Sequence, residues 1–146
     1  MRLRRGEPDD VAPIARMLRS SYDRMPFVPR LHTPEEDLAY ITGLFGDHEV
    51  WVADGGDGVA GFAILSADQL LQIHVDADEQ NKGIGGRLLA HAKERRPAGF
   101  SLWVFQKNEG ARRFYERHGL ELVRLTEGQD NEEREPDALY DWRPAP

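Results

Sequence analysis

The chain has 146 residues, a formal net charge of −7 and no cysteine. Its length and its 40% of hydrophobic residues are ordinary for one globular domain, which we expect to span residues 1–146. The missing cysteine excludes disulfides, cysteine metal sites and thiol nucleophiles, and the acidic balance argues against a nucleic-acid partner.

The N-terminal segment MRLRRGEPDD carries charges but no apolar stretch after them, so it does not look like a secretory signal. No apolar run approaches the roughly 20 residues that a membrane-spanning helix needs. We therefore predict a cytoplasmic protein that does not contact a membrane.

The first part of the chain predicts an edge strand, two helices and a loop. The strand covers Arg2–Arg5, and a helix follows Pro8, with Pro13 tolerated only if the regular helix begins late. The proline-containing stretch 23–32 is predicted as a loop. Thr33-Pro34-Glu35-Glu36 has the capping-box pattern that starts a second helix.

The remainder alternates between strand and helix patterns. Strands are predicted over 49–53, 59–65, 69–75, 100–105, 120–125 and 138–143, and helices over 87–96 and 108–118. The order β-α-α-β-β-β-α-β-α-β-β predicts an α/β (α+β) domain. We expect a mixed, mostly antiparallel sheet of about six to seven strands with helices on both faces.

A glycine-rich loop joins the predicted strand 69–75 to the next helix. It contains Gly83, Gly85 and Gly86, with Lys82 and Arg87 beside them. A strand, a glycine loop and a helix offer backbone N–H groups to a phosphate, and the helix dipole adds positive potential. The loop is therefore a candidate anion site in an otherwise acidic chain.

Two common phosphate-binding fingerprints do not fit this loop. The dinucleotide pattern G-x-G-x-x-G fails because Leu88 stands where the last glycine belongs. The Walker A pattern G-x-x-x-x-G-K-[ST] fails because no glycine here is followed by Lys and then Ser or Thr. The pattern that fits is Q-x-x-G-x-G, from Gln80 to Gly85.

Together with the downstream segment LWVFQKNEGARRFYERHGL, this loop resembles the GCN5-related N-acetyltransferase (GNAT) family. The second motif, N-x-x-A-x-x-F/L-Y-x-x-x-G-F, is matched by Asn108, Ala111, Phe114, Tyr115 and Gly119, with Leu120 where Phe is usual. The resemblance covers essentially the whole chain. It is strongest to small bacterial members with PRLHTPEED near the start and NEEREPD near the end.

The resemblance implies acetyl-CoA as cosubstrate. The glycine loop would hold its pyrophosphate, backbone groups of the preceding strand would pair with its pantetheine arm, and the second motif would complete the site. The implied binding residues are Ile73, His74, Val75, Gln80, Asn81, Lys82, Gly83, Ile84, Gly85, Gly86, Arg87, Asn108, Ala111, Phe114 and Tyr115. No metal is expected, because the five histidines include no metal-binding pattern such as H-E-x-x-H.

The resemblance also implies direct transfer of acetyl to a primary amine in a ternary complex. Tyr115 would donate a proton to the departing thiolate, as a phenol with a pKa near ~10 can at neutral pH. The general base is less evident: His74 and Glu35 are the candidates, and a relay through water is open. Trp103 occupies a position where some members carry a glutamate.

The acidic stretch 130–137 has the composition of a solvated loop, and two interpretations stay open for it. It is either exposed to solvent only, or it borders the acceptor site, as the connection between the last two strands can in the resembled fold. In the second case it would favour a small, cationic amine as acceptor. A homodimer formed through edge strands is left open by the sequence. A second hypothesis is a CoA-binding sensor or interaction module of the same fold that has lost catalysis.

Overall fold

Residues 1–145 are described by a computed structural model, and their elements follow the predicted order. These elements are β1 (Arg2–Arg5), α1 (Val11–Asp23), α2 (Pro34–Asp47), β2 (Glu49–Asp54), β3 (Val59–Leu65), β4 (Leu70–Val75), α3 (Ile84–Arg95), β5 (Phe100–Phe105), α4 (Glu109–Arg117), β6 (Glu121–Leu125) and β7 (Asp137–Trp142). Two short 3₁₀ turns, Pro8–Asp10 and Ala77–Glu79, precede α1 and α3.

The strands form two antiparallel sheets. One has the order β1-β2-β3-β4 and the other β5-β7-β6. An isolated parallel bridge between Gln69 and Ser101 joins them where β4 and β5 begin. The predicted mixed sheet is thus realised as two sheets that separate beyond this bridge, which leaves the facing edges of β4 and β5 open.

Helices cover both faces of the first sheet, as predicted, because its central strands are apolar on both sides. Along β3, Phe62 and Ile64 pack in one cluster with α1 and α2, whereas Ala63 and Leu65 pack in another with α3. All four are at most 2% exposed. Burial of each large apolar side chain contributes roughly 1.5–3 kcal/mol, so the layers are held by this alternation.

Two helices begin more than one residue away from the predicted start. α1 starts at Val11 after the 3₁₀ turn, which leaves Pro13 in the first helical turn, where a missing N–H costs little. α3 starts at Ile84 and not at Arg87, so Gly85 and Gly86 belong to the helix and not to the loop.

The capping box at the start of α2 is present as predicted. Thr33 Oγ1 accepts from the Glu36 amide at 3.1 Å, and Glu36 Oε1 accepts from the Thr33 amide at 2.9 Å. Glu36 is thereby tied to the helix end.

Replacing Thr33 with alanine is expected to lower the free energy of unfolding by about 1 kcal/mol, because a helix amide loses its partner. Urea unfolding measures the change. Thr42→Ala is the matched control, since Thr42 lies inside the same helix and its hydroxyl bonds only the Leu38 carbonyl. An equal loss in both variants would contradict the capping role.

The connection between β6 and β7 is a folded loop. Asn131 Nδ2 donates to the Glu135 carbonyl at 2.8 Å and to Asp137 Oδ2 at 3.0 Å, and Thr126 Oγ1 also bonds Asp137. Gly128 has φ +84°, and a Cβ there would lie 2.5 Å from the Glu135 backbone. These bonds give the acidic stretch a defined shape.

The outermost strand of the second sheet, β6, exposes apolar side chains. Leu122, Val123 and Leu125 are 43–55% exposed. A homodimer through such an edge stays a prediction. Among the described residues, no helix combines the length and apolarity needed to cross a membrane.

Candidate active site

A cleft of about 1610 Å³ opens where β4 and β5 diverge. Its walls come from the end of α1, β4, the start of α3, β5, α4 and the β6–β7 loop. Ile64 pairs with Gln72 but Leu65 pairs with Leu70, so Leu71 is an extra residue in β4. Such a bulge bends a strand, and here it accompanies the separation of β4 from β5.

Backbone groups of β4 face this cleft. The Asp76 amide donates to the Ala60 carbonyl on β3 at 2.9 Å. Because antiparallel pairing alternates, His74 also turns its backbone groups to β3, and Ile73 and Val75 turn theirs to the cleft. Gln80 Nε2 donates to the Val75 carbonyl at 3.2 Å.

The N-terminal end of α3 forms another wall. Gly83 is the N-cap with φ +79°, and no side chain caps the helix. The Arg87 amide bonds the Gly83 carbonyl at 3.1 Å. The amides of the three preceding residues therefore lack helical partners, which gives the cleft an anion-binding end with favourable dipole potential.

The three glycines of this end have different roles. A Cβ at Gly83 would meet nothing within 4 Å, but the positive φ favours glycine. A Cβ at Gly85 would lie 3.3 Å from Phe114 Cζ, and one at Gly86 would lie 3.3 Å from His118 Cε1. Gly85 and Gly86 thus let the rings of Phe114 and His118 pack against the first turn of α3.

Arginines give the cleft a positive lining in an acidic protein. Five arginines line it: Arg24, Arg87, Arg113, Arg117 and Arg124. Among residues 1–145, no carboxylate lies within 4.0 Å of any of these guanidinium groups. Of the two basic residues predicted beside the glycine loop, Arg87 lines the cleft. Lys82 lies outside it and forms an ion pair with Glu79 at 3.0 Å.

Sequence reasoning did not identify the arginines of α4. Arg113 and Arg117 are spaced i, i+4 and so share one helix face. Arg112 and Glu116 face elsewhere, since both side chains bond the Tyr140 hydroxyl. The spacing was readable from the sequence, but which face lines the cleft was not.

Tyr115 lines the cleft from α4 and is 8% exposed. Burial raises the pKa of its hydroxyl above the ordinary value, so the phenol stays protonated throughout the neutral range. In the part of the chain that the structure describes, this hydroxyl has no hydrogen-bond partner. It is therefore a proton donor that the protein itself leaves unused.

Asn108, at the start of α4, serves as a helix cap. Its Oδ1 accepts from the Ala111 amide at 3.3 Å, and its Nδ2 lies 3.7 Å from Met25 Sδ. Asn108, Ala111 and Phe114 all line the cleft. A helix cap and a ligand contact are compatible at Asn108, because the cap uses the side-chain oxygen and Nδ2 carries a second N–H beyond the one that faces Met25.

The two predicted candidate bases lie in different places. His74 lines the cleft, and its Nε2 is 2.7 Å from Gln72 Oε1. Burial, aided by Arg24, lowers its pKa to about 4, so it is uncharged but weakly basic at neutral pH. Glu35 is exposed in the first turn of α2, and it lines neither this cleft nor the smaller cavity between α1 and α2.

A smaller cavity of about 630 Å³ adjoins the cleft between α1, α2 and the β6–β7 loop. Tyr22, Gln72 and Glu133 line both spaces. The sequence pointed to Glu133 only as a member of an acidic run, and nothing in it singled out Tyr22 or Gln72. Among residues 1–145, no cluster of three or more His, Asp or Glu could hold a metal ion.

Comparison with known proteins identifies the family of this chain. The profile of the acetyltransferase (GNAT) domain matches residues 46–121, which include β4, α3 and α4. This match covers just over half of the chain, and the chain therefore belongs to the GNAT family of acetyltransferases.

A curated relative is Rv2775 of Mycobacterium tuberculosis, described as a probable N-acetyltransferase. It is 35% identical over 85 residues, which are 53% of this chain and 49% of the relative. The chain thus spans about half the length of the curated relative that it matches.

Solved structures share the fold at low identity. A GCN5-related N-acetyltransferase from Rhodopseudomonas palustris superposes with a TM-score of 0.82 at 17% identity, covering 98% of this chain and 95% of that one. The structure of yncA from Salmonella typhimurium, solved with its cofactor acetyl-CoA, has a TM-score of 0.77 at 16% identity, covering 100% and 97%.

Proposed function

We propose that this protein transfers the acetyl group of acetyl-CoA to the primary amine of a small molecule, within a ternary complex, and that residues 1–146 form one N-acetyltransferase domain. The observation that carries the proposal is that one cleft contains both the uncapped end of α3 and the Tyr115 hydroxyl. The first suits a pyrophosphate, and the second suits the thiol end of the same ligand.

The residues present fit acetyl-CoA. Free amides at the start of α3 and the arginines of the cleft would hold its phosphates. Cleft-facing backbone groups of Ile73 and Val75 would pair with the amides of the pantetheine arm, as a neighbouring strand would. All the residues predicted to bind acetyl-CoA line the cleft except Lys82. Lys82 would contribute only a positive charge beside the glycine loop.

Acetyl-CoA supplies an acetyl group activated as a thioester. Backbone N–H groups of β4 near the bulge would stabilise the negative charge that develops on the carbonyl oxygen. Tyr115 would give its proton to the departing sulfur and regain one from the new amide nitrogen. Its raised pKa keeps it protonated but makes it a weaker acid, so we expect both proton movements to be coupled.

A cysteinyl intermediate is excluded because the chain has no cysteine, and direct attack by the amine is the simplest remaining route. A cytoplasmic location and a homodimer stay predictions from the sequence.

The test is release of free CoA thiol from acetyl-CoA in the presence of single amines. The panel comprises 2-phenylethylamine, hexylamine, spermidine, an aminoglycoside, several amino acids and a short peptide. Amine-dependent thiol release is expected. Tight calorimetric binding of CoA without turnover on any amine would instead favour the sensor or interaction module, and absence of CoA binding would contradict both.

A further inference from the structure

Glu133 lies at the junction of the two cavities. It is half-buried in the β6–β7 loop, and it lines the cleft and the smaller cavity together with Tyr22 and Gln72. Any acceptor that reaches the cleft from the smaller cavity passes these three side chains. The loop that carries Glu133 is held in shape by the bonds of Asn131 and Asp137.

Ion pairs occupy the other carboxylates of the smaller cavity. Asp37 accepts from Arg19 at 2.9 Å. Glu132 lies 2.7 Å from His32 Nε2. Glu36 lies 3.7 Å from His32 Nδ1 and also caps α2.

The guanidinium group of Arg30, which also lines this cavity, forms an ion pair with Asp23 at 2.7 Å. In contrast, Glu133 has no cationic side chain within 4.0 Å among residues 1–145. The junction thus presents one carboxylate that no described side chain neutralises.

Apolar and aromatic side chains form much of the remaining wall of the smaller cavity: Leu18, Tyr22, Leu31, Ala39 and Tyr40. This composition suits the carbon skeleton of a compact amine. A carboxylate that is partly withdrawn from water is costly to keep charged unless it is paired, so a ligand cation at Glu133 would recover part of that cost.

We infer that Glu133 binds the ammonium group of the acceptor and removes its proton, and that the acceptor is a primary alkylamine whose apolar or aromatic body occupies the smaller cavity. This inference rests on the proposed acetyl transfer and names a residue and a substrate class for the same site.

Glu133 takes one proton from the ammonium, and the free amine attacks the acetyl carbon. The carbon–nitrogen bond forms and the carbon–sulfur bond breaks, the nitrogen loses a second proton, and Tyr115 relays it to the sulfur. The products are the acetamide and the free thiol of CoA, and Glu133 releases its proton to solvent.

The surroundings of Glu133 suit a base. Burial raises the pKa of its carboxyl, and the neighbouring charges of Glu132 and Asp137 add to this, whereas a hydrogen bond from its own backbone amide and the charge of His32 oppose it. Tyr22 lines the same junction, and the pKa of its hydroxyl is raised to about 12, mainly by burial and also by the charge of Glu133. A raised carboxyl pKa makes the carboxylate a stronger base than an exposed glutamate would be.

Glu133→Gln is the test, because it removes the charge and keeps the shape. With 2-phenylethylamine, kcat/KM at pH 7 is expected to fall by about 10²- to 10³-fold. The wild type should show a plateau between the pKa of Glu133 and that of the amine, near ~10. The variant can use only the free amine, so its log kcat/KM should rise with unit slope and approach the wild type at high pH.

Two controls separate this role from damage to the fold. Glu127→Gln removes an exposed carboxylate from the same loop outside both cavities, and it should leave the profile unchanged. Glu133→Asp keeps a carboxylate and should restore the plateau in part. Aniline, which is uncharged at pH 7, should lose far less than 2-phenylethylamine in Glu133→Gln.

Equal kcat/KM and equal profiles for wild type and Glu133→Gln would overturn the inference while leaving acetyl transfer intact. Faster turnover of spermidine than of 2-phenylethylamine would overturn the apolar part of the substrate class. If no amine is acetylated, the proposed function fails. Calorimetric binding of 2-phenylethylamine to the CoA complex, lost in Glu133→Gln, would still support the ammonium site, and equal binding would refute it.

Discussion

Tyr115→Phe is expected to lower kcat by roughly 10- to 10⁴-fold, the range for loss of a general acid. The hydroxyl lines the cleft, and among residues 1–145 it has no bonding partner, so its removal should cost little stability. The CoA dissociation constant should hardly change, because the ring remains. Thiol release under saturating amine, with calorimetry of CoA binding, measures both quantities.

Tyr140→Phe is the matched control for this substitution. Tyr140 is a buried tyrosine of the same core cluster, but its hydroxyl bonds Glu116 at 2.6 Å and Arg112 at 3.0 Å. Its loss should lower stability by about 1–3 kcal/mol and leave kcat nearly unchanged. Undiminished turnover in Tyr115→Phe would remove Tyr115 from the mechanism.

The pH dependence gives an independent check on Tyr115. A general acid works only in its protonated form, and burial raises the pKa of this phenol. Activity should therefore not decline from ionisation of Tyr115 until the pH lies above the ordinary phenol range, near ~10. A fall in kcat with rising pH, at an apparent pKa well below ~10, would contradict the assignment of Tyr115 as the general acid.

Gly85→Glu is expected to weaken CoA binding by at least about 10²-fold. A negative charge in the first turn of α3 opposes the phosphates that the helix dipole would attract. A side chain there must also displace Phe114, since a Cβ would lie only 3.3 Å from Phe114 Cζ. Calorimetric titration with CoA measures the loss, and an unchanged affinity would refute the phosphate site.

Gly85→Gln separates the charge from the steric effect, because its side chain has the same shape without the charge. The difference between the two dissociation constants reports the charge, and added salt should reduce it. Gly43→Glu adds a carboxylate to an exposed position of α2 where a Cβ meets nothing within 4 Å. It should bind CoA normally, which shows that extra negative charge alone is not the cause.

Local sequence patterns predicted most of the elements because each depends on neighbouring residues. The Thr33 capping box formed as the spacing indicated. The start of α3 was placed three residues late, since glycine disfavours a helix in isolation. In the folded chain Gly85 and Gly86 lie in the first turn of α3, and the rings of Phe114 and His118 pack closely on them.

The motifs in the sequence also predicted most of the donor side of the candidate site, because its residues belong to two continuous segments. The acceptor side was much less readable. His32 and Glu132 are separated by 100 positions yet form an ion pair, and that pairing distinguishes Glu132 from its neighbour Glu133. Adjacent glutamates look equivalent in a sequence, and only their surroundings differ.

The sequence by itself thus determined the order of elements, the family and the segments proposed to bind the donor, since these depend on local spacing and on motifs. The tertiary structure alone decided that β4 and β5 separate, which arginines line the cleft, and which carboxylate stays without a cationic partner among the described residues. Burial and charge pairing come from segments far apart in the chain, and they become defined only when the sheets and loops pack together.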